Sequence, residues 1–252
     1  MINIKSLSKS YAGIPILNDI NLEIPKGKVI SLIGPNGAGK STLLVLMARL
    51  AKADNGSIIL DSEELSNYSL DQLSRKISFL RQQNVFDVKI TIKELVDFGR
   101  FPHSKGQLTI QDNMKIEESI NKMNLQDIKH AYIDQVSGGQ LQRAFLAMVI
   151  AQDTEYILLD EPLNNLDMKH SVEIMNTTRF LADEYGKTVI TVVHDINFAA
   201  NYSDYIIAMK NGRVFFYGSN KSVITEKNLK ELFDIEFKII QDDKVIICNY
   251  YK

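Results

Sequence analysis

Short runs of apolar and β-branched residues alternate along this chain with segments in which apolar residues recur at helical spacing. The runs that most resemble strands are Val29 to Ile33, Ile77 to Leu80, Tyr156 to Leu159, Thr188 to Val193 and Tyr205 to Met209. Several are apolar at almost every position, as is typical of strands that helices cover on both faces. The pattern therefore predicts an α/β fold built on a parallel sheet.

Two other segments carry the pattern of antiparallel strands. They are Ile2 to Glu23 and the pair 205–210 and 213–217, which is joined by Asn211-Gly212. Asn-Gly between two strands is a strong signal for a two-residue hairpin turn. We therefore expect antiparallel strands beside the parallel ones.

Helical spacing dominates between about residues 85 and 155. The helices predicted in this segment are Ile92 to Phe98, Met114 to Met123 and Leu141 to Ala151. Outside it, helices are predicted at Thr42 to Leu50 and, in the tail, at Asn228 to Phe233. A strand-like stretch follows at Lys244 to Asn249. The sequence predicts a single domain over 1–252, with a core formed by 1–84 and 156–218, a helical subdomain at 85–155 and a short tail at 219–252.

Composition narrows the class of protein. The chain has 252 residues and a formal net charge of −2, so no global basic field favours nucleic acid. Its longest apolar run, Ala144 to Ala151, is far short of the roughly 18 to 20 residues that span a bilayer. A single cysteine, Cys248, and an N-terminus without signal-peptide features predict an unprocessed protein in a reducing compartment.

A glycine-rich segment follows the first buried strand and precedes a helical pattern. It reads Gly34, Pro35, Asn36, Gly37, Ala38, Gly39, Lys40 and Ser41, followed by Thr42. In this strand-loop-helix setting, backbone amides and the helix N-terminus bind phosphate. Lys40 would reach the β- and γ-phosphates, and the Ser41 hydroxyl would ligate Mg²⁺. The alternative is a glycine-rich turn that only permits close packing.

Two further segments extend the phosphate chemistry. The strand from Tyr156 ends in Asp160 and Glu161, and strand alternation would send these side chains in different directions. Asp160 would hold Mg²⁺, while Glu161 would orient or deprotonate the attacking water; a helix cap is the structural alternative. Ser137, Gly138, Gly139 and Gln140 precede a helix and form a second candidate phosphate site, or else a turn.

In this order the motifs resemble those of the ATP-binding subunits of ABC transporters. The resemblance covers nearly the whole chain. It implies a P-loop NTPase (RecA-like) core with an antiparallel β subdomain and an inserted α-helical ABC signature subdomain. It also implies ATP and Mg²⁺ as ligands and a head-to-tail dimer, most simply a homodimer. Each ATP would then lie between the phosphate loop of one copy and the Ser-Gly-Gly-Gln segment of the other.

The resemblance also assigns roles to single residues. Tyr11 matches the aromatic residue that stacks on adenine, and His194 matches the histidine that contacts the γ-phosphate. Gln82 matches the residue that senses Mg²⁺ and couples to the membrane partner. Asp167 matches the residue that signals across the dimer. Departures are Arg81, Val136 and the pair Asn164-Asn165, which replaces a commoner small or hydroxyl pair; none removes a group that touches phosphate.

Within that family the segment 90–103 is similar to the importers of iron–siderophore, haem and vitamin B12, most of all the siderophore branch. The implied function is ATP-driven uptake of an iron(III)–siderophore complex. The implied partners are membrane permease subunits and, indirectly, an extracytoplasmic siderophore-binding protein, but no nucleic acid. The chain would act at the cytoplasmic face of the cell membrane.

Other functions remain open. They are haem or vitamin B12 import, a soluble ABC ATPase, a P-loop kinase or GTPase, and a non-enzymatic scaffold. No Asn-Lys-x-Asp segment for guanine is present. Of the remaining histidines, we expect His103 in an exposed loop after a proline that ends a helix, and His130 and His170 at the surface. Cys248 is expected to be a small apolar residue of a strand.

Overall fold

The structure is a computed structural model that describes residues 1–81, 88–164, 166–242 and 245–251. The described chain divides into two compact units, one formed by 1–68 and 178–252 and the other by 69–177. In chain order the strands are β1 (Ile2–Tyr11), β2 (Ile14–Ile24), β3 (Val29–Ile33), β4 (Asn55–Leu60), β5 (Glu63–Glu64), β6 (Ile77–Leu80), β7 (Tyr156–Asp160), β8 (Thr188–Val192), β9 (Tyr205–Lys210), β10 (Arg213–Ser219), β11 (Lys238–Gln241) and β12 (Ile246–Asn249).

The helices alternate with these strands. They are α1 (Lys40–Met47), α2 (Leu70–Ser74), α3 (Ile92–Phe98), α4 (Phe101–Ser104), α5 (Ile110–Lys122), α6 (Gly138–Ala151), α7 (Met168–Tyr185), α8 (Ile196–Tyr202), α9 (Asn220–Val223) and α10 (Glu226–Phe233). No described helix combines the length and the apolar character needed to cross a membrane.

The first unit contains the parallel strands that lead to the phosphate loop. Strand β3 lies between β8 and β9 and pairs with both in parallel, and all five of its residues are buried. Side chains buried on both faces of a strand explain why β3 is apolar at every position except Ser31, whose hydroxyl bonds that of Ser203 at 2.6 Å. The prediction of parallel buried strands is confirmed here.

The first unit also contains antiparallel strands. The order of the first sheet is β2-β1-β4-β5, and β9 continues into β10 through Asn211 and Gly212. Both turn residues have positive φ, 51° and 72°, as a hairpin turn of the predicted kind requires. The tail forms the hairpin β11–β12, in which Cys248 is buried as predicted.

The second unit combines two parallel strands, β6 and β7, with a group of helices. Its core includes the buried faces of α3, α5 and α6, among them Leu95, Ile116, Ile120 and Phe145. Helix α3 has the predicted bounds. Helices α5 and α6 begin four and three residues earlier than the apolar spacing indicates, because Thr109 and Ser137 form capping boxes ahead of it.

One prediction about a histidine is wrong. His103 does not lie in an exposed loop but in the short helix α4, which begins after α3 has ended at Phe98. Pro102 stands in the first turn of α4, where a backbone N–H has no partner within the helix and its absence in proline costs nothing. Nε2 of His103, half-buried, lies 2.9 Å from the carbonyl oxygen of Gln152. His170 is partly exposed and His130 is exposed, as expected of residues at the surface.

A buried ion pair holds the helices of the second unit together. The side chains of Arg100 and Asp112 are 8% and 6% exposed, and Nε of Arg100 donates to Asp112 at 2.9 Å. Arg100 also donates to the carbonyl oxygen of Ala151 at 2.8 Å, which links α6 to the pair. Hydrogen bonds from Thr109 and from Arg100 lower the pKa of Asp112 from 3.8 to about 2.

We expect Asp112→Asn to lower the free energy of unfolding by about 3 to 5 kcal/mol, because it leaves the buried Arg100 without a counter-charge. Since the pKa of Asp112 is depressed in the folded state, its contribution is present above pH 4 and is lost as the pH falls towards 2. Urea unfolding of the wild type and the variant between pH 7 and pH 2.5 measures both effects. The exposed Asp127→Asn serves as control; a difference between wild type and Asp112→Asn that does not shrink with acid would contradict this account.

Candidate functional site

The glycine-rich segment after β3 has the backbone that its sequence predicts. Gly34 adopts a φ of 138°, and a Cβ placed on it would lie 2.0 Å from the carbonyl oxygen of Met209. Gly39 adopts a φ of 96°, and a Cβ there would lie 2.6 Å from Cδ2 of Leu17. Only glycine fits both positions. The loop is therefore shaped by the strands packed against it, which leaves its tip at Asn36 and Gly37 exposed.

Lys40 is the first residue of α1 and is only 5% exposed. Its ammonium group donates to the carbonyl oxygens of Gly34 at 2.8 Å and Pro35 at 3.0 Å, so the lysine folds back across the loop. Ser41 and Thr42 follow it in the first turn of the helix and are half-buried. The loop thus combines a cation, a hydroxyl and a helix N-terminus, which are the groups that bind phosphate.

His194 follows the strand that pairs with β3, the strand leading into this loop. It is exposed and follows β8, whose partner β3 leads directly into the loop; the amide of Val193 donates to Leu32 at 3.2 Å. Tyr11 ends β1 and is 47% exposed, and the ammonium group of Lys9 lies 5.2 Å from the centre of its ring. An exposed aromatic ring of this kind is available for stacking on a base.

Asp160 and Glu161 end a strand of the second unit. Strand β7 is buried throughout and closes with Asp160, which is 5% exposed. Glu161 stands one residue beyond the strand, is half-buried and has a φ of 52°. The predicted strand alternation therefore does not reach Glu161. Glu161 has a left-handed backbone, which is uncommon for residues other than glycine. The Asp160 carboxylate therefore ends the buried strand, while the Glu161 carboxylate stands in the turn that follows it.

A turn after Glu161 holds its side chain. Nδ2 of Asn164 donates to Oε2 of Glu161 at 2.5 Å, and the amide of Asn164 donates to the carbonyl oxygen of Glu161 at 3.2 Å. Pro162 lies between these two residues in the chain, and its carbonyl oxygen accepts a hydrogen bond from Nε2 of Gln142 at 3.1 Å. Gln142 belongs to α6, so the turn is attached to the helix that begins at the Ser-Gly-Gly-Gln segment.

That segment forms the start of α6. The hydroxyl of Ser137 accepts from the amide of Gln140 at 3.3 Å, and Oε1 of Gln140 accepts from the amide of Ser137 at 2.8 Å. Ser137 and Gly138 are exposed, and nothing lies within 4 Å of a Cβ placed on Gly138. The capping box fixes the backbone while the outer face of the turn stays open to a ligand.

Asp167 lies just ahead of α7. Its Oδ1 lies 2.8 Å from both the amide nitrogen and Nδ1 of His170, and the backbone hydrogen bond is the main cause that lowers the pKa of Asp167. A Cβ placed on Gly139 would lie 3.7 Å from Nδ1 of His170. His170 therefore lies beside both Asp167 and Gly139.

The predicted site residues thus fall into two groups. The first unit holds Tyr11, His194 and the glycine-rich loop, and the second holds Asp160, Glu161, Asp167 and the Ser-Gly-Gly-Gln segment. Gln82 lies outside the described residues. The sequence pattern missed the hydrogen-bonding roles of Gln142, Asn164 and His170. The only sequence signal for Asn164 is that an amide stands where small or hydroxyl residues are commoner.

Comparisons with known proteins agree with this geometry. The profile of the ABC transporter family matches residues 17–164. The petrobactin import ATP-binding protein YclP of Bacillus subtilis (strain 168) is 51% identical over 251 residues, covering 100% of both chains. The petrobactin import ATP-binding protein FatE of Bacillus anthracis is 45% identical and covers 96% of both.

A solved structure is similar as well. It is a dimeric, post-hydrolysis state of the ATP-binding cassette MJ0796 bound to ADP and phosphate. It has a TM-score of 0.79 and 32% sequence identity, and it covers 87% of this chain and 99% of its own.

Proposed function

Since the chain belongs to the ABC transporter family as an ATP-binding subunit with ATPase activity, we propose that it powers the import of an iron(III)–siderophore complex through a separate membrane permease. The observation that carries the proposal is the 51% identity with a petrobactin import protein along the full length of both chains. Petrobactin, an iron chelator, is therefore the first cargo to test.

ATP would be bound by the first unit. Tyr11 offers an exposed ring to the adenine, and the loop from Gly34 to Gly39 offers backbone amides to the phosphates. The ammonium group of Lys40 now bonds two loop carbonyls, and a phosphate anion would replace these neutral acceptors with a charge-assisted bond. Thr42 follows in the first helical turn and completes this set.

The residues present also fit Mg²⁺. The hydroxyl of Ser41 and the carboxylate of Asp160 are oxygen donors, which this cation prefers, and Gln82 would add an amide oxygen. When bound, the ion neutralises charge on the phosphates. The chain's own contribution would be the Ser41 hydroxyl at the start of α1 and the Asp160 carboxylate at the end of the buried strand β7.

Glu161 would accept a proton from the attacking water or orient it, and His194 would contact the γ-phosphate. Glu161 directly follows Asp160 at the end of the buried strand β7. These roles make Glu161, His194 and Gln82 the proposed catalytic residues.

Two copies of the chain would share each ATP. Ser137, Gly138, Gly139 and Gln140 of one copy would close over the nucleotide bound by the loop of the other, and Asp167 would report across the dimer. The exposed turn at Ser137 and Gly138 supports this proposal, because its outer face is open. ATP would favour the closed dimer by its extra contacts there, and hydrolysis would release it.

The dimer would attach to permease subunits at the cytoplasmic face of the membrane, and an extracytoplasmic siderophore-binding protein would deliver the cargo. Uptake of radioactive iron by cells that lack the chromosomal gene tests this assignment. Cells complemented with the wild-type chain should import iron(III)–petrobactin, whereas cells with Glu161→Gln should not. Equal uptake in both, or a defect confined to haem or vitamin B12, would contradict the proposed cargo.

A further inference from the structure

We propose that Asn164 is a positioning residue for hydrolysis, which holds the carboxylate of Glu161 in its working orientation. The inference rests on the proposed function, in which Glu161 acts on the attacking water. It assigns a purpose to an amide side chain that no phosphate contact requires.

The geometry of the turn carries this proposal. The amide group of Asn164 lies 2.5 Å from Oε2 of Glu161, and both residues are half-buried. The backbone of the same two residues is closed by a bond from the Asn164 amide to the Glu161 carbonyl oxygen at 3.2 Å. The side-chain bond is therefore additional to the turn, and removing it leaves a backbone hydrogen bond to maintain the turn.

The position of Glu161 explains why an additional bond matters. The residue stands beyond the end of β7 in a left-handed conformation, so its side chain does not follow the alternation of the strand. A reacting group that is misplaced by about 1 Å can lose roughly 10²-fold in rate. A donor on one carboxylate oxygen fixes the side chain, and an ionised carboxylate can still accept further hydrogen bonds.

The turn is itself anchored to a rigid element. Gln142 donates to Pro162 at 3.1 Å from the second turn of α6, the helix capped by Ser137 and Gln140. Asn164 therefore aligns Glu161 within a frame that also carries the Ser-Gly-Gly-Gln segment. A small or hydroxyl side chain at position 164 would be too short, or would lack the donor, to make the same bond.

Asn164→Leu tests the proposal, because it keeps the branched shape and the number of heavy atoms of the side chain and removes the donor. We expect kcat for ATP hydrolysis to fall roughly 10- to 100-fold, with the KM for ATP and the Kd for ATP unchanged. The control is Asn121→Leu, the same substitution on the exposed surface of α5, which should keep the wild-type kcat. Thermal unfolding of each variant reports on the fold.

Asn164→Asp supplies a readout that a purely structural role would not move. Two adjacent carboxylates repel one another when both are ionised, and a proton shared between them restores a donor. We therefore expect the kcat of this variant, relative to wild type, to rise as the pH is lowered from 8 to 6. A flat ratio would overturn the proposal, even if Asn164→Leu proved poorly folded.

Glu161→Gln, assayed in parallel, distinguishes a failure of the positioning role of Asn164 from a failure of the catalytic role of Glu161. If Glu161→Gln is inactive while Asn164→Leu keeps the wild-type kcat, or changes only the KM, the positioning role is wrong and the proposed function stands. If Glu161→Gln retains turnover, the catalytic assignment fails and the role of Asn164 fails with it. A combined variant that loses no more activity than Glu161→Gln alone would support the proposal.

Discussion

Glu161→Gln should abolish most ATP turnover while leaving ATP binding intact. The substitution keeps the size of the side chain but removes its capacity to accept a proton from water, and general-base groups typically contribute about 10² to 10⁴-fold in rate. We therefore expect kcat to fall within that range. Steady-state phosphate release measures kcat, and calorimetry in the presence of Mg²⁺ measures the affinity for ATP.

The matched control is Glu184→Gln, which changes an exposed glutamate near the end of α7 and should leave both quantities unchanged. Near-normal hydrolysis by Glu161→Gln would refute the catalytic role of this carboxylate. Loss of ATP binding together with turnover would show instead that the substitution disturbs the nucleotide pocket.

Lys40→Ala should weaken ATP binding by roughly 10- to 100-fold, because a charge-assisted hydrogen bond to phosphate is worth about 1.5 to 3 kcal/mol. The variant also loses the bonds from Lys40 to the carbonyl oxygens of Gly34 and Pro35 within the loop. Calorimetric titration with ATP and Mg²⁺ measures the change in affinity.

Lys40→Met separates these effects from packing, since it retains the apolar stem of this 95% buried residue and removes only the charge. It should bind ATP as weakly as Lys40→Ala. The exposed Lys28→Ala is the control for a general change in net charge. Unchanged affinity in Lys40→Met would contradict a direct contact between the ammonium group and phosphate.

The buried strands were predictable from the sequence because a strand covered on both faces must be apolar throughout. Strands β3 and β6 have the predicted bounds for this reason. Helix bounds were less predictable. Helix α1 ends at Met47 rather than Leu50, since Arg49 turns left-handed at a φ of 54° and donates to the carbonyl oxygens of Leu65 and Tyr68. Such long-range bonds leave no periodic signal.

In the candidate site, too, the local backbone was predictable from the sequence and the side-chain contacts were not. The glycine-rich loop and the Ser-Gly-Gly-Gln segment are continuous in sequence, and their glycines and capping residues state the required backbone directly. The contacts of Asn164 with Glu161 and of His170 with Asp167 depend on side-chain directions within turns. Residue types and spacing do not determine those directions, so these roles emerged only from the structure.

The central claim is that two copies of the chain share each nucleotide. Sedimentation of the Glu161→Gln variant, with the permease present and absent, tests it most directly because the variant should bind ATP without consuming it. Without the permease we expect a species of twice the 28.6 kDa chain mass when ATP and Mg²⁺ are added, and return to a single chain with ADP; with the permease we expect two chains in each complex. A mass that stays at one chain with saturating ATP, in both settings, would contradict it.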